Sequence, residues 1–111
     1  MTKWEYREIE KRLLRYPVQD GDRWAIGSRD NDELSPSGGP LAPGRDWGVE
    51  LKKRKSHWVA WDADAGNWDM FWDVVKRYGL DGWELVSVHG HHPMGAYDTE
   101  WTFKRPIPPG A

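Results

Sequence analysis

The chain has 111 residues, 16 Lys and Arg against 18 Asp and Glu, a formal charge of −2 and no cysteine. That length suits one domain over residues 1–111. The near-neutral charge argues against a whole-protein electrostatic pull toward nucleic acid, and the missing cysteine excludes disulfides, a thiolate nucleophile and Cys-ligated zinc.

The opening Met1-Thr2-Lys3-Trp4-Glu5 has no apolar leader, and no stretch nears the roughly 18 apolar residues that span a bilayer. A cytoplasmic protein without membrane attachment is expected. The outlying feature is aromatic: nine Trp, four Tyr and two Phe. Large rings fill a small core well, but Trp is rarely buried whole, so part of this set is expected at a surface or interface.

Residues 3–9, Lys3 to Ile9, alternate as a strand does, with Trp4 and Tyr6 on one face and Glu5 and Arg7 on the other. Residues 17–46 are rich in Gly and Pro and read as irregular, with Arg23-Trp24-Ala25-Ile26 alone suited to a short strand. Ser35 to Arg45 reads as a mobile loop. Trp47 to Leu51 and His57 to Trp61 flank Lys52-Lys53-Arg54-Lys55-Ser56, a pattern that predicts a hairpin with a basic tip.

The spacing of Trp68, Phe71, Trp72, Val75 and Tyr78 predicts a helix over 67–78, capped by Asn67 and stopped by Gly79. After Asp81-Gly82, residues 83–88 read as a strand, and His89 to Ala96 as a connector. Tyr97 to Lys104 form the last strand, and a tail from Pro106 follows.

Several of these residues carry a family resemblance. The Trp4-Glu5-Tyr6 strand, the helix, the run from Gly79 through Gly82-Trp83-Glu84-Leu85-Val86 to Val88, and the closing Phe103-Lys104-Arg105-Pro106 resemble the DUF4177-type small bacterial and phage proteins, a family of unknown function. The likeness covers about 45 residues and departs through 10–66, where typical members have a far shorter connection. It implies a small antiparallel sheet with one helix on one face, and it transfers no catalytic residue. Folding alone also accounts for the Gly79–Val88 run.

Other clusters have plain readings beside their chemical ones. His89, His91 and His92, with Asp98 and Glu100, offer donors suited to zinc or nickel. Their spacing matches no known ligand pattern, and a solvated loop accounts for them. The same histidines could move protons, yet no nucleophile accompanies them. The 52–55 run with Trp58 could follow phosphates while a ring stacks on a base. A solvated turn that blunts aggregation is the simpler account. Asp62, Asp64, Asn67 and Asp69 only faintly resemble a calcium loop, and no bidentate Glu completes it. No Gly-rich phosphate loop is present.

The expectation is therefore an α+β domain, β-(insertion)-α-β-β, with three core strands and no cofactor. Because one helix cannot shield both sheet faces, a partner or a second copy is expected on the other. The expected function is a non-enzymatic interaction module binding a protein partner through Arg45, Trp47, Lys52, Lys53, Arg54, Lys55 and Trp58. The alternatives are a small nucleotide-like ligand and a nucleic-acid-binding hairpin.

Overall fold

The computed structural model describes residues 2–14, 16–30, 33–53, 57–90 and 99–109. In chain order the elements are β1 (Trp4–Leu14), β2 (Pro17–Asp20), β3 (Arg23–Asp30), β4 (Glu33–Pro40), α1 (Trp47–Lys53), β5 (His57–Asp62), β6 (Asn67–Met70), α2 (Phe71–Leu80), β7 (Glu84–Gly90) and β8 (Thr99–Pro106). They form a five-stranded sheet of order β6-β5-β1-β8-β7 and a three-stranded sheet β2-β3-β4. All named strand pairs are antiparallel, so the α+β class stands.

Strand β1 organises the large sheet. It pairs with β8 along Trp4–Lys11 and with β5 along Arg12–Leu14. Side chains alternate along a strand, so odd positions of β1 face one side and even positions the other. Ile9 enters a cluster with Ala60, Phe71, Val74, Tyr78, Trp83 and Phe103. Leu14 enters a second cluster with Ile26, Leu41, Ala42, Trp47, Val59 and Trp68. Neighbouring Val59 and Ala60 of β5 divide the same way. The sheet therefore carries α2 on one face and, toward its β5–β6 end, the small sheet and α1 on the other.

Two cores side by side lengthen the molecule. Its radius of gyration is 15.9 Å and its extents 55 × 34 × 23 Å, against roughly 13 Å of radius for a compact chain of this length.

Several expectations are corrected. Within 17–40 lie three strands where only Arg23–Ile26, the start of β3, was expected, because β2 and β4 both pair with β3. Ser35–Pro40, read as loop, lies in β4. Trp47–Lys53 is a helix and not the first arm of a hairpin. Asp46 explains this, since its Oδ1 accepts the Val49 N–H at 3.1 Å and its carbonyl the Glu50 N–H at 3.0 Å, an N-terminal cap. The hairpin partner of β5 is β6, where Trp61 faces Trp68 and Asp62 faces Asn67.

Helix α2 begins at Phe71 rather than Asn67, and Met70 before it makes no side-chain cap. Its buried residues are Phe71, Val74 and Tyr78, whereas Trp72 is 61 % exposed. The Gly79–Trp83 run closes the helix as a Schellman motif. The Trp83 N–H donates to the Tyr78 carbonyl at 3.0 Å, and the Gly82 N–H to Gly79 at 3.1 Å. Gly82, at φ +89°, is the left-handed residue, not Gly79. The Tyr78 and Trp83 rings meet across the motif at 6.5 Å.

Trp83 is buried between the guanidiniums of Arg7 and Arg105, 4.7 and 4.4 Å from its ring. Strand β7 is less covered. Leu85 and Val88 share a face with their partners Phe103 and Trp101, yet both stay half-exposed. Among the described residues no helix is long and apolar enough to cross a membrane.

Candidate functional site

Turns and sheet edges from three parts of the chain enclose a cleft of about 580 Å³. The β2–β3 turn supplies Gln19, Asp22, Arg23 and Trp24, the segment 40–46 forms the floor, and Gly66 and Asn67 close the far end. Its volume lies within the range of small-molecule sites, about 300–1,000 Å³.

The floor is held from both sides. The Leu41 N–H donates to the Trp24 carbonyl at 2.8 Å and the Ala42 N–H to the Trp68 carbonyl at 2.7 Å, tying the small sheet to β6. Trp47 lies beneath, fully buried, its Nε1 donating to the Ala42 carbonyl at 3.0 Å. Gly44, at φ +85°, turns the chain between Pro43 and Arg45.

Beside the floor lies a network of charges. Asp62 and Asp69 are buried, and Arg77 bridges them. It donates to Asp62 Oδ2 at 3.1 and 2.9 Å and to Asp69 Oδ2 at 3.2 Å. Burial works against the Arg77 charge, but the bonds to Asp62 and the charges of Asp69 and Asp62 outweigh it and raise its pKa. Arg45 donates to Asp69 Oδ1 at 3.1 Å and also to Asp73. Asp62 Oδ1 accepts the Asp64 and Ala65 N–H groups at 3.0 and 3.2 Å. The acidic run that faintly resembled a calcium loop is thus a hairpin turn fastened to an arginine.

The expected site residues separate. Arg45 lines the cleft, but its charge is matched by Asp69 and Asp73. Trp47 is core and has no face to offer a partner. Lys52 and Lys53 are exposed at the end of α1, not on a hairpin tip, with Lys53 3.8 Å from Glu50. Trp58 is half-buried against the α2 side of the sheet, away from the α1 cluster. Arg54, Lys55, His91 and His92 lie outside the described residues. His89 stands on β7 opposite Glu100. Among the described residues no three His, Asp or Glu gather as a metal would need.

The cleft brings forward four residues outside the expected binding set: Arg23 and Trp24, which the sequence places on a short strand, and Asp22 and Gln19. Arg23 and Asp22 make no side-chain hydrogen bond or ion pair among the described residues. Trp24 lines the cleft, and its ring packs toward α1, where a Cβ on Gly48 would stand 3.0 Å from it. Asp46 and Arg45 are committed to the helix cap and the charge network, leaving Arg23 and Asp22 as the cleft's charges of opposite sign without a partner among the described residues.

No family model matches the chain, and neither the curated proteins nor the solved structures contain a significant match.

Proposed function

We propose that the protein is a non-enzymatic binding module whose cleft takes a small, planar ligand carrying an acidic group, of the nucleotide-like class. The observation that carries this reading is a braced cleft lined by both Trp24 and Arg23, whose guanidinium has no side-chain partner among the described residues. Stacking of a flat ring on Trp is worth about 1–3 kcal/mol per base in nucleic-acid sites. A guanidinium adds a charge-assisted contact to phosphate or carboxylate. Asp22 and Asp46 at the rim moderate the positive potential, which favours a monoanionic ligand over a polyphosphate or a nucleic-acid backbone.

Adenosine monophosphate and adenosine serve as probes, followed by calorimetry, with a native mass spectrum of the freshly purified protein beside them. The monophosphate is expected to bind more tightly, and Arg23→Ala to remove that advantage, about tenfold, leaving adenosine unchanged. No saturable binding of either probe, together with a mass spectrum free of any retained small molecule, would refute the reading.

A second reading concerns a protein partner. Among the described residues β7 pairs with β8 alone, and Leu85, Val86 and Val88 are all half-exposed on it. An open apolar edge is a template for another strand, which supports assembly into a homodimer through β7. Sedimentation that shows only the 12.9 kDa species at high protein concentration would remove this reading.

A further inference from the structure

On the opposite side of the large sheet, the ammonium of Lys11 lies among four aromatic rings. Its Nζ is 4.9 Å from the Trp58 ring centre, 5.0 Å from Phe71, 5.5 Å from Trp72 and 5.8 Å from Trp101. All are within the roughly 6 Å over which a cation is attracted to a ring face. Strands β1, β5 and β8 and helix α2 each contribute, so the box is a product of the tertiary fold. Three of the rings brace one another edge to face: Phe71 meets Trp72 at 5.0 Å and Trp101 at 4.7 Å, and Trp72 meets Trp101 at 5.8 Å. Phe71 is fully buried at the base, while Trp72 forms an outer wall open to solvent.

Among the described residues Lys11 makes no ion pair. Among those residues, its charge is met by the four rings. That arrangement suits a primary ammonium poorly. A lysine head group is compact and strongly hydrated, and its three N–H donors find no acceptor on a ring face. A trimethylammonium group has the same charge, no N–H to satisfy and an apolar surface that fits against indoles. Aromatic boxes of this composition are the general solution for such cations.

We infer that Trp58, Phe71, Trp72 and Trp101 form a binding site for a trimethylammonium group, in which Lys11 is a tethered occupant that the ligand displaces. The flexible four-carbon stem of Lys11 lets the head group swing into water without disturbing β1, whose register rests on backbone hydrogen bonds. The site is separate from the Trp24–Arg23 cleft and independent of it.

Nuclear magnetic resonance tests this directly. In the wild-type protein the Lys11 ε-methylene protons, next to an Nζ held among the rings, are expected upfield of the free-lysine position. Titration with tetramethylammonium is expected to return them toward the free-lysine position. Lys11→Ala removes the competitor and is expected to tighten tetramethylammonium and choline about tenfold, and Trp72→Ala to abolish that binding. The uncharged tert-butyl analogue of choline is expected to bind far more weakly than choline, because the attraction is to charge. A trimethyl-lysine peptide run beside choline shows whether the head group comes from a protein or a small molecule. If the Lys11 resonances stay unmoved in wild type, or if the uncharged analogue binds folded Lys11→Ala as well as choline does, the inference is overturned. Should Lys11→Ala fail to fold, the wild-type titration alone decides.

Discussion

Replacing Trp47 with alanine removes the centre of the second core. The side chain is fully buried, and a buried indole hides up to about 250 Å², worth roughly 6 kcal/mol at 25 cal/mol per Å². A realistic unfolded chain already covers part of that area, which lowers the figure to about 4–5 kcal/mol. The Nε1–Ala42 hydrogen bond at 3.0 Å is lost as well, leaving a carbonyl under the cleft floor without its donor, at a further cost of about 1 kcal/mol. Mutational experience with buried Trp and Phe centres on about 3–5 kcal/mol, so a loss of about 4 kcal/mol is expected. Total stability is typically about 5–15 kcal/mol, so the variant should be near the edge of folding. Trp72→Ala is the matched control. At 61 % exposed, it gives up only about 100 Å² of burial and should cost about 1–2 kcal/mol. Guanidinium unfolding followed by far-ultraviolet circular dichroism, compared by midpoint and slope and not by amplitude, measures both. A Trp47→Ala loss below about 1.5 kcal/mol, or equal losses in the two variants, would refute this assignment of the core.

Arg77→Ala leaves the buried Asp62 without its cation and Asp69 with Arg45 alone; because Arg77 is 45 % exposed and water can partly replace it, the expected loss is about 2 kcal/mol instead of the 3–5 of a fully buried pair. Urea titration of the variant beside Arg77→Lys, which cannot reproduce the forked contact, checks this. The Glu8 carboxyl is raised above its ordinary range by a hydrogen bond shared with Glu100 and by that neighbour's charge. The folded state then takes up this proton more readily than the unfolded chain, so the strain present at neutral pH is relieved as pH falls through the raised pKa. Glu8→Gln should therefore raise the melting temperature at neutral pH, and the advantage should shrink on mild acidification. Gly27→Ala would place a Cβ against Val18 and 2.8 Å from the Tyr16 carbonyl. It is expected to cost about 1–3 kcal/mol by overpacking, read as a lowered midpoint of thermal unfolding.

Local pattern alone located β5, β7 and β8 to within a residue or two, and the first half of β1, because alternating or continuous β-forming runs bounded by Gly and Pro have few other uses. It also located most of α2 and the stop after it, since the Gly79–Trp83 run encodes a cap that needs no distant partner. Of the small sheet only Arg23–Ile26, the start of β3, was legible. The Gly- and Pro-rich strand β4 becomes a strand only because β3 lies beside it. The start of α2 was misplaced for the same kind of reason: 67–70 satisfies helical spacing, but pairing with β5 and the Ala42–Trp68 bond hold it extended. Trp47, expected as a binding residue, is core, and Trp72, which shares the helical spacing of Phe71, is exposed, because periodicity says which residues share a stripe but not where the stripe meets its neighbour. The cleft and the ring box around Lys11 lay furthest from view. Each gathers side chains from separate elements, and only the packing of two cores against one sheet sets such distances.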